Sequence, residues 1–183
     1  MTAPREVLLG VGGGIAAYKM AYVASRLVQN GLSVRVAMSP RAVEYIGALT
    51  FEGLTGRKAI LSSTQIDPDG SAPHIAAARA AHCYAIAPAT ADLLARLAAG
   101  AADCPVTLLA LTCRCPIVVC PAMNDSMWLH PAVQQNVERL RARGVRVLGP
   151  VTGHLAEGYD AIGRMVEPDA ICAEIQQLLS VRP

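Results

Sequence analysis

Charge, aromatic side chains and metal-binding cysteine patterns are all scarce in this sequence. Charged residues make up 16% of the 183 positions and aromatic residues 4%, with one tryptophan and one phenylalanine. The formal net charge is only +2 and the basic residues are scattered, so the broad cationic footprint of a nucleic-acid binder is missing. The one dense basic cluster, Arg139, Arg141, Arg143 and Arg146, has no interleaved aromatics and falls near a predicted helix end, where cations suit the helix dipole. No nucleic-acid partner is expected. Six cysteines occur, but none form a C-x-x-C pair; Cys113 and Cys115 stand as an isolated C-x-C, so no metal site is expected. No apolar run reaches membrane-spanning length, and no charged-then-apolar leader follows Met1. These absences predict a cytosolic protein with no membrane partner. Its Cys83, Cys104, Cys113, Cys115, Cys120 and Cys172 are then expected to be reduced, apolar packing residues.

Apolar residues are abundant instead, at 53% of the chain. That exceeds what one small core needs, and the surplus predicts subunit contacts, hence a homo-oligomer. The length suits a single domain over residues 1–183.

The chain alternates short apolar strands with helical stretches. Strands are predicted at Arg5 to Val11, Ser33 to Met38, Cys83 to Ala87, Pro116 to Cys120 and Val145 to Leu148. Helices are predicted from Ile15 to Asn30, over about Pro40 to Leu54, from near His74, and over Ala91 to Ala99, Val106 to Thr112 (where a strand is the alternative), Pro131 to Arg143 and Asp169 to Leu179. Ser62 to Pro73 reads as a polar, mobile loop, and Gly149 to Met165 as an aperiodic functional loop. This order predicts an α/β fold, a doubly wound, Rossmann- or flavodoxin-like parallel sheet covered on both faces.

Ligands of such sheets sit outside the carboxyl ends of the strands. The first strand runs into Gly12, Gly13, Gly14 and Ile15, a glycine turn before a helix, which suits an anion. Where a dinucleotide fold carries a ribose-binding acid, the second strand ends in Ser39, whose hydroxyl suits a terminal phosphate. Two later strands end alike, in Pro88-Ala89-Thr90 and in Pro121-Ala122-Met123-Asn124; small residues there let a flat ring approach the backbone. Bland alternatives attach to each: a turn needing positive φ, a helix cap at Ser39 or Asn124, strand termination by proline.

Three runs, Gly-Val-Gly-Gly-Gly-Ile-Ala-Ala-Tyr-Lys at 10–19, Pro-Ala-Thr-Ala-Asp at 88–92 and Pro-Ala-Met-Asn-Asp-Ser-Met-Trp at 121–128, resemble the flavin-containing cysteine decarboxylases over nearly the whole chain. That family includes phosphopantothenoylcysteine decarboxylase and the peptidyl-cysteine decarboxylases of lanthipeptide and related pathways. The resemblance implies FMN, with FAD as the alternative flavin, held by Gly12, Gly13, Gly14, Ile15, Ser39, Pro88, Ala89, Thr90, Ala122 and Met123. It implies His74 as a catalytic base and Asn124 as the group that grips the substrate carboxylate. Met127, Gly153, Glu157, Arg164 and Met165 are implied on the substrate side, and a homotrimer or dodecamer as the assembly. His82, His130 and His154 have no motif support.

One departure affects the expected product. Counting back from Gly163-Arg164-Met165, Glu157 occupies the place of a loop cysteine found in the coenzyme A branch, where that thiol helps return reducing equivalents. Without it, chemistry is expected to stop at an aminoenethiol, unless Cys104 or Cys120 takes over. The preferred expectation is therefore a precursor peptide with a C-terminal cysteine as substrate, with phosphopantothenoylcysteine as the alternative. A flavin prenyltransferase ranks lower because the Pro-Ala-Met-Asn-x-x-Met-Trp run resembles the decarboxylases, and a non-catalytic flavin-binding regulatory subunit ranks lower because a pure binder needs neither His74 nor Asn124. A second departure is Gly12, where many relatives carry a hydroxyl residue.

Overall fold

The structure, a computed structural model, describes residues 4–67 and 70–180. Met1, and the Pro68-Asp69 part of the predicted loop, lie outside the described residues. In chain order the elements are β1 (Glu6–Val11), a 3-10 turn (Ile15–Tyr18), α1 (Lys19–Gln29), β2 (Ser33–Met38), α2 (Ala42–Tyr45), α3 (Ala48–Thr55), α4 (Pro73–Ala80), β3 (Ala81–Ala89), α5 (Ala91–Ala99), α6 (Pro105–Thr112), β4 (Ile117–Pro121), α7 (Asp125–Leu129), α8 (Pro131–Ala142), β5 (Arg146–Val147), β6 (Val151–His154), β7 (Asp160–Arg164) and α9 (Pro168–Ser180). The first five strands form one parallel sheet in the order β2-β1-β3-β4-β5. This is the doubly wound arrangement expected.

Strict side-chain alternation explains why the strands read as unbroken apolar runs. Val7, Leu9 and Val11 of β1, Cys83, Ala85 and Ala87 of β3, and Val118 and Cys120 of β4 enter one core, beneath α1, α3 and α9. Leu8, Tyr84, Ile86 and Val119 enter the other, with residues of α4, α5, α6 and α8. Both faces are covered, so successive side chains are all buried. Each fully buried aliphatic contributes about 2 kcal/mol relative to exposure. Tyr84 is fully buried and donates its hydroxyl to the Val106 carbonyl at 2.9 Å. A Cβ on Gly10 would come 2.5 Å from that hydroxyl, so β1 needs glycine there.

Four expectations change. Pro88 does not close β3: the strand continues through it to Ala89, and the Ala87–Pro88 peptide is cis. The helical stretch after Ser39 is two short helices, because Gly47 is extended at φ −68° and ψ 139° and breaks the ladder. A separate helix, α7, precedes α8, with Asn124 as its N-cap. The stretch from Gly149 to Met165 is not irregular: Val151–His154 and Asp160–Arg164 pair as an antiparallel hairpin. Its irregular register and two strand glycines hid the period of two. Among the described residues, no helix is long and apolar enough to cross a membrane.

Candidate functional site

The sheet order reverses between β1 and β3, since the chain passes from β1 outward to β2 and returns to β3 on the other side. A crevice opens at the carboxyl ends of strands flanking such a switch point. The glycine turn leaves β1 there and meets the end of β3. A Cβ on Gly12 would lie 2.0 Å from the Pro88 carbonyl oxygen, and one on Gly13 would lie 2.4 Å from Arg41 Cβ. None of Gly12, Gly13 and Gly14 has positive φ. The glycines are therefore required by close backbone approach, not by turn conformation, and a hydroxyl residue at position 12 has no room in this arrangement. Gly14 is not crowded in this way: a Cβ there would make only ordinary contacts, 3.4 Å to Thr90 and 3.6 Å to Pro88.

Ser39 follows β2 with 9% exposure; its N–H donates to the Val11 carbonyl at 2.9 Å, which ties it to the glycine turn. It does not cap the next helix, whose N-cap is Arg41. Thr90 caps α5, its hydroxyl accepting from Leu93 N–H at 3.3 Å. Ala122 N–H donates to the Ala89 carbonyl at 3.1 Å, joining the ends of β3 and β4. The ten predicted flavin-binding residues thus lie at or just after the carboxyl ends of β1, β2, β3 and β4. Gly12, Gly13, Gly14, Ser39, Ala89 and Ala122 give backbone and small side chains there, a lining that fits a phosphate beside a flat ring system.

The next residue group stands at the tip of β4. Asn124 Oδ1 accepts from Ser126 N–H at 2.9 Å, which fixes the amide plane. Its Nδ2 donates to Glu157 Oε1 at 3.2 Å and to the Tyr159 hydroxyl at 2.9 Å. Tyr159 in turn donates to Asp125 Oδ1 at 2.7 Å. That bond to Asp125 holds the phenol above its ordinary pKa and so keeps it protonated. The β6–β7 hairpin is fastened to this tip by Met123 N–H donating to the Gly163 carbonyl at 3.0 Å. The structure therefore brings Asn124 and Glu157 together, and adds Asp125 and Tyr159, which the sequence reading missed. An aperiodic segment gives Tyr159 no assignable face; the hairpin supplies one.

Other predicted substrate-side residues divide. Met127 is half-exposed on α7. Arg164 turns to Glu167 at 2.5 Å and covers Gly153, where a Cβ would come 2.9 Å from Arg164 Cδ. Met165 is a correction: it is 1% exposed inside the core. Alternation from Gly163, which abuts Met123, carries position 165 inward. Cys104 and Cys120, the candidate replacements for a loop thiol, are also buried, and burial pushes Cys120 up to about 12.

His74 is the second residue of α4, after Pro73 at the helix start. A helix feeding a parallel strand runs antiparallel to it, so the first turn of α4 faces the carboxyl edge of the sheet. Its Nδ1 is buried with no hydrogen-bond partner. A buried ring nitrogen without a partner is uncommon and fits a group that awaits one. No hydrogen bond joins His74 to Asn124 among the described residues. The remaining histidines have structural partners: His82 Nδ1 accepts from Glu6 N–H, His130 Nδ1 caps α8 by accepting from Ala132 N–H, and His154 pairs with Asp160. A cavity of about 1120 Å³ opens at the opposite edge of the sheet, between Arg5, His82 and Arg114, and none of the cradle residues line it.

A family model described as Flavoprotein matches residues 1–180. The coenzyme A biosynthesis bifunctional protein CoaBC of Mycobacterium tuberculosis is 45% identical over 177 residues, covering 96% of this chain and 42% of that protein. CoaBC of Vibrio vulnificus is 40% identical over 183 residues, covering 99% and 45%. The chain thus spans less than half the length of these curated relatives. The solved structure of the FMN-dependent cysteine decarboxylase SpaF superposes with a TM-score of 0.82 at 31% identity, covering 97% of this chain and 99% of that one. A cysteine-to-serine mutant of PPC decarboxylase, complexed with pantothenoylaminoethenethiol, superposes with a TM-score of 0.88 at 24% identity, covering 97% and 100%, a likeness of fold. The Flavoprotein match and the FMN-dependent neighbour support FMN as the cofactor.

Proposed function

The chain belongs to the Flavoprotein family, and from that premise we propose that it is an FMN-dependent decarboxylase of N-acylated cysteine, with phosphopantothenoylcysteine as the favoured substrate. The observation behind the reaction type is the Asn124 amide, fixed at the tip of β4 directly after the turn that would hold the flavin. The substrate preference rests on the 45% identity with CoaBC across 96% of the chain. That likeness outweighs the inference from Glu157 alone, which favoured a peptide. Glu157 still bears on the product.

In this reading Gly12, Gly13, Gly14, Ile15 and Ser39 hold the FMN phosphate, while Pro88, Ala89, Thr90, Ala122 and Met123 line the ring. FMN, when bound, supplies two-electron oxidation of the substrate's Cβ–SH group. A cysteine carboxylate otherwise lacks an electron sink; a thioaldehyde provides one β to the carboxylate, and loss of CO2 leaves an enethiolate. His74 accepts the thiol proton. Asn124 holds the carboxylate by N–H donation, without a full positive charge that would oppose departure of CO2. With a carboxylate at Glu157 in place of a thiol, the product is the aminoenethiol, the type of molecule held in the PPC decarboxylase mutant structure.

A peptide ending in cysteine is the second reading, favoured by Glu157 and by the likeness to SpaF. The deciding experiment offers the FMN-loaded protein phosphopantothenoylcysteine and, separately, a cysteine-terminated peptide, with products weighed by mass spectrometry. Loss of CO2 plus two hydrogens from the former, as a stoichiometric burst under anaerobiosis that air renews, is expected. Turnover of the peptide alone would reverse the substrate assignment, and loss of CO2 without hydrogens over many anaerobic turnovers would reverse the product assignment.

We further propose that copies of the chain assemble. Ile15, Tyr18 and Tyr22 are 66%, 62% and 46% exposed on the 3-10 turn and α1, next to exposed Val43, Tyr45 and Leu49. Apolar groups clustered beside a ligand crevice suit a subunit contact. A monomer by light scattering at micromolar concentration would refute this.

A further inference from the structure

Every hydrogen-bonding group of the Asn124 side chain is engaged. The amide has two N–H hydrogens; one meets Glu157 Oε1 at 3.2 Å and the other the Tyr159 hydroxyl at 2.9 Å. Its oxygen accepts from Ser126 N–H. The hairpin turn that delivers Glu157 is tightly built. Leu155 N–H donates to the Tyr159 carbonyl at 2.9 Å, Gly158 N–H donates to the Leu155 carbonyl at 3.0 Å, and Gly158 turns at φ +92°. Leu155, 7% exposed, anchors this turn beneath. Glu157 itself is exposed, and no cation pairs with it among the described residues.

A carboxylate that accepts from the one amide able to grip a substrate carboxylate stands in for that substrate chemically. We propose that Glu157 occupies the carboxylate subsite as an intramolecular competitor, that an incoming α-carboxylate must displace it, and that Tyr159, braced by Asp125, is the positioning residue that keeps the Asn124 amide in place during the exchange. The proposal rests on the reading of Asn124 given under Proposed function.

Two physical points support the exchange. First, Glu157 and the substrate carboxylate carry the same charge, and Asp125 adds a third acid beside Tyr159, so the three do not crowd one amide; the exposed side chain held by a single contact leaves. Second, the alternatives differ in anchoring. Tyr159 bonds both neighbours at the β4 tip, Asn124 and Asp125, whereas Glu157 makes a single contact there. The tether supplies Glu157 at a high effective concentration, so substrates pay for displacing it in KM.

The test uses the FMN-loaded protein, with phosphopantothenoylcysteine as substrate and N-acetylserine as a carboxylate that binds without a thiol to react. Glu157→Ala is expected to lower KM, and the inhibition constant of N-acetylserine, each by about tenfold, the weight of one charge-assisted hydrogen bond. The signature of competition is therefore a rise in kcat/KM, because removing the tethered carboxylate favours substrate entry to the free site. Tyr159→Phe is expected to lower kcat/KM by about tenfold and to weaken N-acetylserine, while Tyr159→His, which keeps a donor and an acceptor, restores part of the loss.

A binding readout needs no turnover. Asparagine occurs only at Asn30, Asn124 and Asn136, so selective nitrogen-15 labelling yields three side-chain amides, and Asn124→Asp identifies the relevant one. N-acetylserine and Glu157→Ala are each expected to shift that resonance. A raised KM in Glu157→Ala would show that Glu157 assists substrate binding and would overturn the competition. An Asn124 resonance unmoved by Glu157→Ala would overturn the contact. Absence of any turnover by the unsubstituted protein, with the resonance still moved by N-acetylserine, would refute the decarboxylase reading and leave the carboxylate exchange standing.

Discussion

Met123 and Gly163 clasp the hairpin to the sheet: Met123 N–H donates to the Gly163 carbonyl at 3.0 Å, and the Met123 carbonyl oxygen stands 2.2 Å from where a Gly163 Cβ would be. Gly163 also has φ +138°, a conformation that side chains disfavour. Both the clash and the backbone penalise a methyl group. Gly163→Ala is expected to lower stability by about 2–4 kcal/mol, seen as a fall in Tm, and to expose residues 150–165 to proteolysis. An unchanged Tm would mean that the clasp is looser than these distances imply.

His74 is expected to separate chemistry from cofactor binding. His74→Asn should retain FMN, judged by visible absorbance of the purified protein, while product formation falls by at least about 100-fold. Because Nδ1 has no partner in the folded chain, the substitution should leave Tm within a few degrees. A variant that turns over at the original rate would reduce His74 to a helix-surface residue.

The six thiols are expected to divide by reactivity. Burial pushes Cys83 and Cys120 each up to about 12, so almost no thiolate forms at neutral pH. Cys115 is held below the ordinary thiol range by a hydrogen bond from Cys113. Iodoacetamide on the native protein should therefore modify Cys115 first, with Cys83 and Cys120 labelled only after unfolding. Peptide mapping checks the order; early labelling of Cys120 would revive it as a redox partner for the site.

Acid should weaken the anchoring of the hairpin base. Lys19, 9% exposed, bonds both carboxylate oxygens of Glu167 at 3.1–3.2 Å, and Arg164 shares that acid. The bond from Lys19, followed by the charges of Lys19 and Arg164, holds Glu167 below its ordinary pKa. A depressed carboxyl pKa contributes stability that is complete above the unfolded value, near ~4.3, and is lost as pH falls through the lower folded value. Glu167 is half-exposed, so the contribution is screened. Glu167→Gln should cost about 1–2 kcal/mol at neutral pH, since Lys19 stays buried without its partner, and the deficit should shrink in acid. Urea melts at neutral and acidic pH test this; a deficit that grows in acid would contradict the assignment.

Composition and pattern by themselves determined the layered α/β architecture, because a sheet buried on both faces leaves its strands as unbroken apolar runs between amphipathic helices. They also located the turns at the strand ends, since glycines and prolines there are local features. Three matters were decided only by tertiary structure. The need for Gly12 comes from the carbonyl of Pro88, more than 70 residues away, and no local turn geometry reveals it. The hairpin at Val151–Arg164 gains its identity from packing on Met123, which fixes which residues face the site and sends Met165 into the core. The partnership of Asn124 and Asp125 with Glu157 and Tyr159 joins residues more than 30 positions apart. Local propensity and periodicity carry no information about such pairings, because they are set by which strand tips the fold brings side by side.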